Sequence, residues 1–144
     1  MKAKLFIRGE PVLLRYELNP DISAELVASL RQRCGWEARQ KKMEKIIGCT
    51  YLTAACFDDQ NLIGFVDVLS DGVDDALIRG LVVDPGYRRR GVAVALLTMV
   101  VERIKTDQIK TVNVLFEPNL AGLYLKAGFR IVSGGLIDNE AEGF

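Results

Sequence analysis

Gly80-Leu81-Val82-Val83-Asp84-Pro85-Gly86-Tyr87-Arg88-Arg89-Arg90-Gly91-Val92-Ala93-Val94-Ala95-Leu96-Leu97 is the stretch that decides the fold. It reads as an apolar strand, a Pro-Gly turn, three consecutive cations, and small residues opening an apolar helix. The first turn of a helix carries unpaired N–H groups and about half a positive charge, so it attracts phosphate. Gly91 has no side chain and Ala93 only a methyl, which lets an anion approach the backbone closely. Three arginines raise the local potential, and the arrangement suits a diphosphate. The plainer reading is a solvated basic turn before a core helix, since charge runs usually lie at the surface. Small residues at a helix start weigh against it, because they give up packing.

Working outward, Thr50 to Phe57, a turn at Asp58-Asp59-Gln60-Asn61, and Leu62 to Leu69 predict an antiparallel hairpin. Ser70-Asp71-Gly72 turns the chain again, and Ala76 to Val83 is a third strand. After the arginines, Gly91 to about Lys105 is helical and Thr111 to Phe116 is a strand. Asn119 to Lys126 predicts a short helix stopped by Ala127-Gly128, and Phe129 to Val132 a last strand. Toward the N-terminus, Pro20-Asp21-Ile22-Ser23 offers a helix cap ahead of the apolar stripe Ile22, Leu26, Val27 and Leu30. Gly35 ends that helix, and Glu37 to Ile47 reads as a second, more basic one. Leu5 to Arg8 and Val12 to Tyr16 flank Gly9-Glu10-Pro11 and suit a strand and turn. The order predicts a mixed α/β (α+β) sheet with a β-α-β unit in its second half.

A chain of 144 residues with 49% apolar and 26% charged content is expected to be one domain, residues 1–144, and not disordered. Lys+Arg and Asp+Glu number 19 each, so no net field draws the molecule to nucleic acid or an acidic membrane. Without Arg88, Arg89 and Arg90 the rest is negative by three (0 − 3), and no aromatic platform accompanies Tyr87. Dinucleotide binding of the G-x-G-x-x-G type has no matching motif. The absence of histidine excludes an imidazole base and any His-ligated metal. Cys34, Cys49 and Cys56 form neither a C-x-x-C pair nor a disulfide framework. The apolar part of the N-terminus is too short for a signal peptide, and Gly91 to Val101 is about half a membrane span. These features together predict a cytoplasmic protein with no metal, no membrane and no nucleic-acid partner.

Arg88-x-x-Gly91-x-Ala93, after a strand ending Leu81-Val82-Val83-Asp84-Pro85, resembles the acetyl-CoA signature of the GNAT family of N-acetyltransferases: Gln/Arg, two residues, Gly, one residue, Gly/Ala. Leu123-Tyr124-Leu125-Lys126-Ala127-Gly128-Phe129 resembles the family's later helix, with its tyrosine shortly before Gly-Phe. Ile63-Gly64-Phe65 and Ser70-Asp71-Gly72 sit where such proteins have their central hairpin. The likeness covers residues 50 to 133. It implies a GNAT-like, mostly antiparallel sheet flanked by helices, with a splayed strand pair forming a wedge for acetyl-CoA as co-substrate. Leu81, Val82 and Val83 would lend backbone groups to the pantetheine arm. Arg88, Arg89, Arg90, Gly91, Val92, Ala93 and Val94 would wrap the pyrophosphate, mainly with main-chain amides.

The implied reaction is acetyl transfer from a thioester to the amine of a small molecule or peptide. An N–H near Val83 would face the developing oxyanion. Tyr124 would contact the cofactor and hydrogen-bond the departing sulfur; a phenol of pKa about 10 is a weaker acid than a thiol near 8.5, so it stabilises charge without fully protonating it. The alternative for Tyr124 is a ring packed beneath the wedge. The resemblance also implies a cofactor contact from Asn119, although Glu117 stands at the family's usual asparagine position. Leu77, Arg79 and Gly80 occupy the places where many relatives carry a carboxylate base, which leaves Asp67, Glu117, the Asp74-Asp75 pair or water. Trp36, with Arg33, Arg39, Lys41 and Lys42, either caps an acceptor pocket or staples two helices to the sheet. An acyl-CoA-binding sensor or scaffold without turnover is the competing function. Gly134 to Phe144 leaves the family's final strand short, irregular or completed by another subunit, which keeps a homodimer open.

Overall fold

The computed structural model describes residues 1–140. Its N-terminal half is a meander built by tight turns. Strands β1 (Lys2–Ile7) and β2 (Glu10–Leu18) pair antiparallel. The two residues between them, Arg8 and Gly9, both take positive φ, 50° and 80°, matching the twist a two-residue hairpin turn needs. Strands β3 (Leu52–Asp58), β4 (Asn61–Ser70) and β5 (Asp75–Val83) continue the meander, and β6 (Thr111–Val114) closes a six-stranded sheet in the order β1-β2-β3-β4-β5-β6. All neighbours are antiparallel except β5 and β6, which run parallel.

Helices cover both faces. Helix α1 (Ala24–Arg33) starts at Ser23, whose hydroxyl accepts the Leu26 N–H at 3.2 Å as the sequence predicts. Helix α2 (Gln40–Cys49) begins three residues later than the expected Glu37. The reason is Arg39, whose left-handed backbone (φ 54°) interrupts any helix running through it. These two helices bury Val27, Leu30 and Met43 against Phe57, Phe65 and Val82. On the other face, helix α3 (Val92–Thr106) places Leu96, Leu97, Val100 and Ile104 at zero exposure against Ala54, Val66, Val68 and Ile78. Each such side chain contributes about 1.5–3 kcal/mol of hydrophobic stabilisation. Helix α4 (Ala121–Lys126) sits beside the start of α3.

The last predicted strand is corrected by the structure. Phe129 to Val132 forms no ladder, and the neighbouring strand stops at Val114 instead of Phe116. A space of about 280 Å³ separates the two segments, lined by Val112, Asn113 and Phe116 on one side and Phe129, Ile131 and Val132 on the other. Residues rich in β-branched side chains need a hydrogen-bonding partner within about 5 Å to act as a strand, and here that distance is not closed.

Candidate active site

The sheet opens where β5 and β6 part. Their parallel register runs from Asp75↔Thr111 to Ile78↔Val114 and stops there, while β5 continues five residues further to Val83. A bulge in β5 turns the strand at this point: Phe65 faces Val82 and Asp67 faces Arg79, so Val66 of β4 stands against both Gly80 and Leu81. Gly80 takes φ 65°, the left-handed conformation that glycine adopts without a Cβ penalty. The resulting wedge holds a cavity of about 640 Å³, lined by Gly80, Leu81, Phe116, Tyr124 and Trp36 among others.

Val83 lies beyond that cavity, at the end of β5, where β6 no longer pairs with the strand. The Asp84 N–H donates to the Ile63 carbonyl at 2.8 Å, so the alternation of an antiparallel pair turns the groups of Val83 away from β4. Its carbonyl accepts from Arg88 Nε at 3.0 Å and from the Cys34 thiol at 3.3 Å. Its N–H is left to face the opening. The same alternation turns Val82 to β4, and its side chain lies in the core beneath α1 and α2.

The Arg-Arg-Arg-Gly turn has the open amides that a diphosphate needs. Asp84 accepts the Gly86 N–H at 2.9 Å and shapes the short 3-10 turn Pro85–Tyr87. Arg89 (φ 62°) and Gly91 (φ 82°) then bend the chain into α3, whose first residues have no side-chain cap. Among the described residues, no peptide N–H from Gly91 to Val94 donates to a protein atom; the first such bond is Ala95 to Gly91 at 3.0 Å. Arg88, Arg89 and Gly91 to Val94 line a second hollow of about 440 Å³, together with Val83, Tyr87, Leu123 and Lys126. Tyr87 hydrogen-bonds Asp58, which pushes its phenol up to about 12. Arg90 stands outside this lining, and its guanidinium reaches the Phe6 carbonyl on β1 at 3.0 Å. Lys126 escaped the sequence reading; the signal was its place on α4, three residues after Leu123.

Tyr124 both packs and reaches the cavity, so the two sequence alternatives coincide. Its ring stacks on Phe116 (4.4 Å, 16°) and meets Phe129 edge-on (5.7 Å, 86°). The residue is 4% exposed, and burial raises its phenol above the ordinary value. Its hydroxyl has no protein partner among the described residues, yet no buried side-chain oxygen is sealed without one, so this oxygen is the accessible end of the side chain. Asn119 is exposed and lines neither cavity.

The far mouth carries Trp36 and Arg79. Trp36 is 44% exposed, with the Arg31 guanidinium 4.9 Å over its ring, and it lines the cavity instead of stapling the helices inside the core. The basic residues near it in sequence are engaged elsewhere. Arg33 donates to Asp84 (2.8 Å) and to the Leu62 carbonyl (2.7 Å), and Arg39 and Lys42 pair with Glu140 at 3.9 Å and 2.7 Å. Lys41 is exposed and outside the lining. Of the candidate bases, Glu117 stands on the rim and Asp75 hydrogen-bonds Thr111 at the closed end of the wedge. Asp67 is buried beside Arg79. No helix of the described residues is long and apolar enough to cross a membrane.

Residues 18–140 match the family model of the acetyltransferase (GNAT) domain. The chain is 28% identical over 127 residues to the uncharacterized N-acetyltransferase ycf52 of Gracilaria tenuistipitata var. liui, spanning 85% of this chain and 70% of the relative. Among solved structures it superposes on a probable acetyltransferase of meticillin-resistant Staphylococcus aureus with a TM-score of 0.79 and 21% identity, over 88% of this chain and 98% of that one. It also superposes on AAC(6')-Iy in complex with a bisubstrate analog of CoA and acetylneamine, with a TM-score of 0.70 and 18% identity over 89% and 98% of the two chains.

Proposed function

The chain belongs to the GNAT acetyltransferase family, and on that premise we propose that it moves an acetyl group from acetyl-CoA to a primary amine by direct attack of the amine on the thioester. The observation that carries this reading is the run of unengaged amides from Gly91 to Val94 beside a wedge of about 640 Å³. Amides at a helix start, with Arg88, Arg89 and Lys126 around them, fit the twin phosphates of coenzyme A. Leu81 and the Val83 peptide fit the arm that leads from those phosphates into the wedge. Acetyl-CoA supplies the activated acetyl group.

The remaining chemistry belongs to the chain. The Val83 N–H donates to the oxygen on which negative charge develops during transfer. The Tyr124 hydroxyl, at the cavity surface above a fixed ring, donates to the departing sulfur. The amine enters from the Trp36 side and must be neutral to attack, which for a lysine-like amine of pKa about 10.4 costs roughly 4–5 kcal/mol at pH 7. A proton acceptor therefore matters as much as the oxyanion donor.

The test is thiol release from acetyl-CoA with a panel of amino acids, polyamines, aminoglycosides, arylalkylamines and peptides. Amine-dependent release above the hydrolytic background supports the reading. Calorimetric binding of acetyl-CoA with no release for any amine overturns it in favour of a binding module. The acetyltransferase family match does not favour that alternative.

A further inference from the structure

We propose that Asp67 receives the proton of the acceptor amine through water standing at Gly80, on the acceptor side of the wedge; the inference rests on the acetyl-transfer reading above. Asp67 is the one buried carboxylic acid among the described residues, at 4% exposure. On β4 it shares the face of Phe65, which packs beneath α1 and α2, whereas Val66 and Val68 point to α3. That is the face on which Trp36 and Arg79 form the cavity mouth.

Its two oxygens have different surroundings. Oδ2 accepts from Arg79 Nε at 2.8 Å and from the Thr50 hydroxyl at 3.3 Å. Oδ1 has no protein partner among the described residues, and since no buried side-chain oxygen is sealed without one, it keeps a contact with solvent. The neighbour at Oδ1 is the bulge glycine: a Cβ at Gly80 would lie 3.0 Å from it. Gly80 lines the cavity and Asp67 does not, so water standing at the glycine is the link we assign between Oδ1 and that space. At about 30 Å³ per water, a space of this size holds a short chain of them beside an acceptor.

The charged groups around Asp67 are Arg79 from β5 and Arg31 from α1, with Thr50 as the neutral donor. Burial raises the carboxyl above its ordinary range, against the opposing pull of these donors. The direction makes this carboxylate a stronger proton acceptor than a free one. In the step, an ammonium gives one proton to water, which passes one to Oδ1, leaving a neutral amine and a carboxylic acid. The nitrogen lone pair then forms the C–N bond as the C–S bond breaks, and its electrons leave on sulfur. The second nitrogen proton goes to that thiolate, and Asp67 returns its own proton to solvent.

Asp67→Asn separates this role from a structural one. The probes are benzylamine, protonated at neutral pH, and aniline, neutral there, together with the best amine from the panel. With benzylamine, kcat/KM at pH 7 is expected to fall about 100-fold, and the acidic limb of the pH profile to move up to the free amine's own titration. With aniline the variant should stay within about threefold, because no proton needs removing before attack. Acetyl-CoA affinity by calorimetry should be unchanged. Should Asp67→Asn fail to fold, Asp67→Glu carries the test, since it keeps a carboxylate for Arg79 while displacing it from the gap at Gly80. An unchanged pH profile, or an equal loss with both amines, overturns the proposal while leaving the activity standing. Wild-type protein that releases no thiol with any amine removes its premise instead.

Discussion

Arg88 and Val83 are tied together: the guanidinium Nε of the first arginine donates to the strand carbonyl at 3.0 Å. The bond joins the end of β5 to the turn that follows, so the strand bordering the wedge and the amides opening α3 are held in one frame. The family pattern allows Gln or Arg at this position, and both side chains carry an N–H able to reach back to a carbonyl. The rest of the guanidinium remains at the mouth of the second hollow.

Replacing Arg88 therefore has two consequences, a loosened turn and a lost charge. Arg88→Ala is expected to weaken acetyl-CoA binding about tenfold, equivalent to roughly 1.4 kcal/mol. Arg88→Gln should recover part of this, since it keeps the donor and loses only the charge. Titration calorimetry with acetyl-CoA distinguishes the two, and equal affinities for wild type and Arg88→Ala would show the tie to be incidental.

For Tyr124 the geometry separates folding from chemistry. The ring is fixed by Phe116 and Phe129, and the hydroxyl makes no bond to the protein among the described residues. Tyr124→Phe should leave the melting temperature within about 2 °C, because nothing is unpaired by the change. The same variant should lower kcat by about 10- to 100-fold with little effect on acetyl-CoA affinity. A kcat equal to wild type would reduce Tyr124 to the packing role.

Much of this arrangement is readable from residue order. The Ser23 cap, the three meander strands and the helix after Arg90-Gly91 follow from capping chemistry and periodicity, which are local properties. The bulge at Gly80 is not local: a glycine inside an apolar strand becomes a bulge only when β4 supplies one residue against two. The partnership of Arg79 with Asp67 follows from that register and is equally hidden. Arg90 shows the converse, since its charge looks like part of a phosphate site until β1 supplies a carbonyl 84 residues away. The expected strand at Phe129 to Val132 fails for the same kind of reason, because a strand is a relation to a neighbour.

Gly64 predicts a stability effect. A Cβ there would lie 3.0 Å from Leu96, 3.1 Å from Val92 and 3.3 Å from Cys56, all in fully packed surroundings. Gly64→Val is expected to destabilise the fold by about 1–3 kcal/mol, since α3 must move away from the sheet. Because Val92 belongs to the first turn of α3, acetyl-CoA affinity should fall in the same variant. Urea unfolding and calorimetry check both effects, and a stability equal to wild type would contradict the close approach of helix and strand.

Cysteine reactivity reads out the packing under the sheet. Cys56 has zero exposure, and burial pushes its thiol up to about 11, whereas Cys49 is exposed at the end of α2. Alkylation proceeds through the thiolate, so both access and ionisation disfavour Cys56. In the native protein at pH 8, iodoacetamide should modify Cys49 at least about 100-fold faster than Cys56. Cys34 should fall between them, being half-buried with its thiol donating to the Val83 carbonyl. Peptide mass spectrometry over a time course gives the three rates. If acetyl-CoA fills the wedge beside Val83, its presence should slow Cys34 and leave Cys49 unchanged. Equal labelling of all three cysteines without denaturant would mean that the β3–α3 core is open.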